Sequence, residues 1–148
     1  VEARETAEQA FQVFLAARQN VELFADVRPT LAQLCNAYMV GARSNGNADV
    51  RRVGLAEYFS FALNADALGV AKPEPAVFLA ALARAQVAPS RSIHIGDHPH
   101  DDVFGAQQVG MRTIWFNPEG QPWTGEIEPD AQVSQIAQLP EVIRSLSE

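Results

Sequence analysis

The residues best suited to chemistry cluster in one short segment, where three carboxylates follow the end of an apolar run. The run Ser92–Gly96 predicts a strand, and Asp97, Asp101 and Asp102 come directly after it. An apolar periodic pattern then predicts a helix over residues 102–109. Carboxylates gathered where parallel strands end either repel one another or hold a hard cation such as Mg²⁺, which prefers oxygen ligands.

The acid cluster has two explanations in the sequence. Aspartates near a helix start are favoured by capping and by the helix dipole, so the cluster could be the solvated beginning of that helix. Open α/β sheets, however, bind their ligands at the carboxyl ends of their strands. Other residues of the chain must decide between the two.

Two further junctions carry groups suited to a phosphoryl ligand. A strand-like run over residues 38–43 ends at Ser44, Asn45 and Gly46, which offer a hydroxyl, an amide and a closely approachable backbone. Lys72 precedes a predicted helix, and a rigidly held cation beside acids can neutralise phosphoryl charge. A turn and a surface lysine explain each segment taken alone. Their order along the chain, hydroxyl, lysine and acid cluster, favours a site.

The elements that must position these groups alternate along the chain. The patterns predict strands over residues 38–43, 60–64, 92–96, 112–116 and 131–133, and helices over residues 29–37, 75–86, 102–109 and 140–146. The Pro-, Gly- and Glu-rich segment 117–130 is predicted to be a loop. Strands that alternate with helices predict an α/β fold, a doubly wound parallel sheet with helices on both faces.

Three ordered motifs make the chain resemble the C-terminal part of a haloacid dehalogenase (HAD) superfamily hydrolase. Ser44 matches the second motif of that family, Lys72 the third, and Gly96, Asp97 and Asp102 the fourth. The resemblance implies a Rossmann-like core and Mg²⁺ as cofactor. It also implies these roles: catalysis by Ser44 and Lys72, phosphate binding by Ser44, Asn45, Gly46 and Lys72, and metal binding by Asp97 and Asp102.

Within the family, the retained Asp97 favours the Mg²⁺-dependent phosphatases, because the dehalogenating members work without Mg²⁺ and typically lose the Gly-Asp step. The strings SNGNAD, GLAEYF and KPEP resemble the bacterial branch that includes flavin mononucleotide and pyrimidine nucleotide phosphatases. The resemblance therefore implies hydrolysis of a small phosphorylated substrate through a phosphoaspartate. A 2-haloacid dehalogenase is the alternative within the family.

One part of the family pattern is missing. The phosphatases use an aspartate of the first motif as nucleophile and a second aspartate two residues later as general acid and base. The seven aspartates of this chain include no such pair. Residues Ala3–Arg18 predict one amphipathic helix with a capping box at Thr6 and Gln9. By resemblance this is the last helix of a helical cap, so we assign 1–25 to a cap remnant and 26–148 to a core domain that lacks its first strand.

That interpretation has a consequence for stability. The strand that carries the nucleophile is central in this fold, and its absence would leave two interior sheet edges unpaired, which invites aggregation. We expect the 148 residues to be stable only with the missing N-terminal segment or a partner strand. We also expect them alone to hydrolyse no phosphate esters, so a non-catalytic remnant or interaction module is a further alternative.

Composition excludes several classes of partner. The formal net charge of −7 argues against nucleic acid, whose phosphates require a basic face. No apolar stretch is long enough to span a bilayer, so we expect no membrane partner. The single cysteine, Cys35, excludes an internal disulfide and fits a reducing cytoplasm.

Two side-chain patterns leave alternatives open. His94, His98 and His100 lie beside the acids and could form a transition-metal site, although alternation in the strand predicts that His94 faces away from the loop end. A response-regulator receiver also combines acids, a hydroxyl and a lysine around Mg²⁺, but its acids come first in the chain. Arg43 departs from the apolar residue expected before Ser44; it either faces solvent or a cap, or pairs with an acid, because a buried unpaired guanidinium is costly.

Overall fold

One parallel sheet organises the part of the chain that the structure describes. The structure is a computed structural model; it describes the backbone of residues 12–15 and the whole of residues 25–44 and 54–148. Six strands lie in the order β3-β2-β1-β4-β5-β6, and every neighbouring pair is parallel. Their bounds are β1 Gln12–Leu15, β2 Val40–Ser44, β3 Phe61–Asn64, β4 Ser92–Gly96, β5 Arg112–Phe116 and β6 Ala131–Val133.

Helices connect these strands, and one of them, Ala65–Leu68, lies where the sequence patterns predicted no helix. The α-helices are α1 Val27–Ala37, α2 Ala65–Leu68, α3 Pro75–Ala85, α4 Gly105–Gln108 and α5 Leu139–Ser147, with 3₁₀ turns at Ala56–Tyr58, Pro89–Arg91 and Ile136–Gln138. Among the described helices, none combines the length and the apolar character needed to cross a bilayer. The α/β fold class and the predicted strands at 92–96, 112–116 and 131–133 are confirmed.

Apolar side chains cover both faces of the sheet. On one face, α1 and α5 pack against Ile93, Ile95 and Ile114 of the central strands. On the other face, α3 and α4 enclose a second core around Phe61 and Phe78. A parallel sheet covered on both faces buries the side chains of both faces, and Ile93, His94 and Ile95 of β4 are accordingly all buried.

The structure corrects the helix predicted over Ala3–Arg18. Within that range, Gln12–Leu15 form β1, which pairs with β2 on one side and with β4 on the other. The remainder of the range lies outside the described residues. The helical pattern was outweighed because a short apolar segment in the sheet centre satisfies the backbone groups of two neighbouring strands at once.

The expected gap in the sheet is therefore absent from the structure. Leu15 lies beside Ala42 of β2 and beside Ile95 of β4, so both interior edges are paired by the chain itself. The strand in this place carries no aspartate, and the sequence continues with Ala16 and Ala17. The assignment of residues 1–25 to a cap remnant stays a prediction.

A matched pair of isoleucines tests the core. Ile143 in α5 is 0% exposed, whereas Ile127 in the loop before β6 is 52% exposed. We expect Ile143→Ala to lower the free energy of unfolding by about 2–5 kcal/mol, because it removes buried methyl groups and leaves a cavity. Ile127→Ala should change it by less than about 0.5 kcal/mol in urea unfolding. Equal losses in the two variants would contradict the assigned packing.

Candidate active site

The predicted site residues come to the carboxyl edge of the sheet. Leu15 of β1 pairs with Ala42 of β2 on one side and with Ile95 of β4 on the other. Ser44 comes two residues after Ala42, and Asp97 comes two residues after Ile95. The two residues therefore lie at the same height of the sheet, on either side of β1. Two strand spacings amount to roughly 10 Å. Asn45 and Gly46 lie outside the described residues, and their predicted phosphate contacts stay predictions.

The Asp102 carboxylate is the centre of a buried polar cluster. Its Oδ1 accepts a hydrogen bond from the Lys72 ammonium and lies 2.9 Å from His94 Nε2. Its Oδ2 accepts a hydrogen bond from the backbone N–H of His98 at 3.0 Å. Asp102 and His94 are each 1% exposed and Lys72 is 7% exposed. Both carboxylate oxygens are thus engaged, and Lys72 is held at one end of the cluster.

Gly96 makes room for this cluster. A Cβ built at Gly96 would lie 2.1 Å from Asp102 Cγ, so only glycine allows the carboxylate to lie over the strand. His94 shares the strand face of Gly96, because side chains two residues apart point the same way. Our expectation that His94 faces away from the loop end is therefore wrong. The signal that could have found it was the glycine two residues later on the same face.

The backbone after β4 aims Asp102 inward. Residues Pro99–Phe104 form a π-helical turn that leads into α4, in place of the uniform helix predicted over residues 102–109. The backbone N–H groups of Asp102 and Val103 both donate to His98 O, at 2.9 and 3.4 Å. The Asp101 N–H donates to His98 Nδ1 at 3.1 Å. The wider turn is a local distortion of a kind frequent at functional sites.

The protonation states follow from burial and from the contacts. Burial by itself raises the pKa of Asp102, but the hydrogen bond with His94 and the ammonium of Lys72 outweigh it and hold the pKa well below its usual value. Burial lowers the pKa of His94, against the opposing hydrogen bond and charge of Asp102. At neutral pH the cluster therefore contains a carboxylate and a neutral imidazole that donates through Nε2–H.

Lys72 is placed by the segment that enters α3. Phe78 of α3 packs edge-on against His94, with ring centroids 5.1 Å apart and an interplanar angle of 89°. Gly105 permits close approach, since a Cβ there would lie 3.0 Å from Pro73 Cα. The start of α3 is thereby fixed against β4 and α4. Lys72 lies just before α3, so its backbone is held in place while its ammonium contacts Asp102.

Asp97 lies at the end of β4 in a different environment. It is partly exposed, and its backbone carbonyl accepts a hydrogen bond from Trp115 Nε1 at 2.9 Å. Trp115 is 3% exposed and packs edge-on against Trp123, with ring centroids 4.9 Å apart. The indole thus anchors the backbone that carries the Asp97 carboxylate. Nothing in the acid pattern itself indicated this contact.

The described residues supply part of a metal site. Within residues 25–44 and 54–148, no group of three His, Cys, Asp or Glu side chains is placed to hold a metal ion. The Asp102 oxygens already accept three hydrogen bonds. Asp97, in contrast, is a partly exposed carboxylate at the sheet edge and can serve as an oxygen ligand of a metal ion. Asp97 fits a hard cation, and the further oxygen ligands of an octahedral Mg²⁺ would have to come from elsewhere.

Arg43 belongs to the same edge and was left open by the sequence. Its guanidinium is buried, with the residue 1% exposed, and it donates to backbone carbonyls of Ser44, Leu63 and Val70. Arg43 therefore neither faces solvent nor forms a salt bridge with an acid in the described residues; it binds backbone carbonyls instead. The unusual charge before Ser44 was the available signal.

The pKa of His94 generates a testable pH dependence. In the unfolded chain this ring takes up a proton near pH 6.5, whereas the folded ring does so only at lower pH. Stability is therefore fully present above about pH 6.5 and falls as the pH drops, by at most about 1.4 kcal/mol per pH unit. Urea unfolding of His94→Gln should show a shallower fall below that pH. Replacement of the exposed His100 by Gln is the control, and identical slopes in the parent and in His94→Gln would contradict the assignment.

Comparisons with known proteins find phosphatases among the relatives of this chain. The chain is 32% identical over 146 residues to the 5-amino-6-(5-phospho-D-ribitylamino)uracil phosphatase YigB of Escherichia coli. The aligned region covers 96% of this chain and 61% of that protein. It is 31% identical to the phosphoserine phosphatase of Thermus thermophilus, over 93% of this chain and 57% of that protein. The chain thus spans about three fifths of the length of these relatives.

A solved structure and a family model add to these matches. The crystal structure of a 2-haloacid dehalogenase from Pseudomonas syringae superposes with a TM-score of 0.83 at 53% identity, over 85% of this chain and 55% of that one. The model of the haloacid dehalogenase-like hydrolases matches residues 2–110, which contain Ser44, Lys72, Asp97 and Asp102. The resemblance stated from the motifs is confirmed, and this chain belongs to the haloacid dehalogenase-like hydrolase family.

Proposed function

We propose that this chain is part of a Mg²⁺-dependent phosphatase that hydrolyses a small phosphorylated metabolite through a phosphoaspartate. The observation that carries the proposal is the buried contact between Lys72 and Asp102 beside the end of β4. The Lys72 ammonium, buried and paired with Asp102, is a cation held in place at this edge. Fixed cations stabilise the charge that develops on a phosphoryl group during transfer.

The division of labour between the two aspartates follows from their surroundings. Asp102 accepts hydrogen bonds from Lys72 and from the His98 amide, and it serves best as the anchor that orients the ammonium. Asp97 is the better candidate for a direct metal ligand. When bound there, Mg²⁺ would supply charge neutralisation at the phosphoryl oxygens.

The remaining roles concern the phosphate itself. Ser44 ends β2 at the same sheet edge, and its hydroxyl is suited to a phosphoryl oxygen. An ammonium donates three hydrogen bonds, so its contact with Asp102 is compatible with a phosphoryl oxygen as a further acceptor of Lys72. We propose that Asn45, through its side-chain amide, and Gly46, through its backbone, bind the same group.

The nucleophile has to be supplied from outside this chain. No pair of aspartates with one residue between them occurs in the 148 residues, and the central strand β1 carries no carboxylate. Because β1 already occupies the central position, we propose that a further N-terminal segment or a partner chain brings the nucleophile and the general acid to the carboxyl edge of the sheet. The 148 residues by themselves are expected to hydrolyse no phosphate esters.

Dehalogenation is the second candidate, because the structure that superposes at 53% identity is a 2-haloacid dehalogenase. The observation against it is Asp97, a carboxylate for which a metal-independent dehalogenase has less use. Phosphatases among the relatives favour hydrolysis of phosphate esters. The two activities differ in substrate and in metal dependence, so one preparation distinguishes them.

Two substitutions test the site in the complete protein. Lys72→Ala should lower kcat for p-nitrophenyl phosphate by roughly a hundredfold or more, because it removes a preorganised charge worth about 3 kcal/mol in the barrier. Asp97→Asn should raise the Mg²⁺ concentration needed for half activity. The matched controls are Arg84→Ala, an exposed cation on α3, and Asp101→Asn, the neighbouring partly exposed acid. Full activity in Lys72→Ala would refute the role of the lysine.

A substrate comparison separates the two candidate functions. We expect release of phosphate from p-nitrophenyl phosphate in the presence of Mg²⁺, its loss with EDTA, and no chloride release from 2-chloropropionate. Ion chromatography of the same reactions measures both products. Chloride release that persists in EDTA would instead establish the dehalogenase.

A further inference from the structure

A buried arginine lies beside the site without a role in the chemistry described so far. Arg43 precedes Ser44 at the end of β2 and is 1% exposed. Among the described residues, no carboxylate lies within salt-bridge distance of its guanidinium. Burial lowers the pKa of Arg43, and the more distant Asp102 carboxylate only partly opposes this effect, so the guanidinium depends on its direct contacts for further stabilisation.

Those contacts are backbone carbonyls from three different segments. One guanidinium nitrogen, Nη1, donates to Ser44 O at the end of β2 and to Leu63 O in β3, the latter at 3.4 Å. The other, Nη2, donates to Val70 O at 3.4 Å. A guanidinium is planar and carries several N–H donors, so it can bind carbonyls of separate backbone segments at once.

The third contact connects Arg43 to the lysine. Val70 lies two residues before Lys72, in the connection between α2 and α3. Val70 is 36% exposed, whereas Lys72 is 7% exposed. The segment from Val70 to Lys72 is thus held at two points: Arg43 binds the Val70 carbonyl, and Asp102 binds the Lys72 ammonium.

We propose that Arg43 is a positioning residue whose guanidinium holds the segment that presents Lys72 to the site. Asp102 alone fixes the end of a flexible four-carbon side chain. The bond to Val70 fixes the backbone from which that side chain starts. The two anchors act together with the packing of Pro73 against Gly105, and loss of the arginine removes the anchor on the N-terminal side of the lysine.

The chain offers a direct probe of this arrangement. Lys72 is the only lysine in the 148 residues, so its reaction with sulfosuccinimidyl acetate can be followed peptide by peptide with mass spectrometry. In the full-length protein, Arg43→Met should increase the labelling rate of Lys72 about tenfold, because the segment opens more often. Circular dichroism verifies that the variant is folded, and Arg43→Gln replaces it if it is not.

Two controls separate the local effect from a general loss of stability. Arg28 also donates to a distant backbone carbonyl, Gly54 O at 3.0 Å. Its contacts are with Gly54 and Glu57 rather than with the segment that carries Lys72, so Arg28→Met should leave the labelling rate unchanged. Ile143→Ala destabilises the core without touching this segment, and it should leave Lys72 protected under native conditions. Labelling of Lys72 at the parent rate in the folded Arg43 variants overturns the proposal.

The kinetic part of the test rests on the proposed phosphatase function. Arg43→Met should lower kcat for p-nitrophenyl phosphate roughly tenfold to a hundredfold, with KM changed less than kcat, because the charge remains present but is displaced. Arg43→Lys keeps the positive charge and loses the fork. Full recovery of kcat in Arg43→Lys would assign the effect to charge and overturn the positioning role. A parent protein without phosphatase activity refutes the proposed function, while the labelling rates still decide the role of Arg43.

Discussion

A single buried carboxylate, Asp102, connects the parts of the candidate site. It lies over Gly96, accepts hydrogen bonds from Lys72 and from the His98 amide, and contacts the His94 ring. A carboxylate in a nonpolar surrounding is stable only when donors satisfy its oxygens, so each of these partners is required by the others. The position of the lysine is therefore tied to the packing of β4 and of the turn that follows it.

The sheet imposes a second constraint. Its two faces are covered by helices, and its central strands must pair on both sides, because buried backbone groups without partners are costly. In the structure, β1 meets this requirement with Gln12–Leu15, between β2 and β4. The segment completes the hydrogen-bonded ladder but contributes no carboxylate. A central strand can therefore complete the hydrogen bonding of the sheet without supplying a catalytic residue.

Local patterns predicted the elements that flank the site. The strands at 92–96 and 112–116 were predicted at both ends, because short apolar runs bounded by turn residues define buried parallel strands. The helix from Pro75 was predicted from its proline at the first turn. The helix over 3–18 was wrong within residues 12–15, since the need of two neighbouring strands for a partner is not visible in a local periodicity.

The sequence by itself determined the fold class, the family and the residues that could do chemistry, because motif order and strand spacing are local properties of the chain. Only the tertiary structure decided how those residues are used. It brought His94 to Asp102 over a glycine, engaged both Asp102 oxygens, and placed Arg43 against three backbone carbonyls. Several of these contacts join residues 8 to 30 positions apart and depend on packing, which no single stretch of sequence encodes.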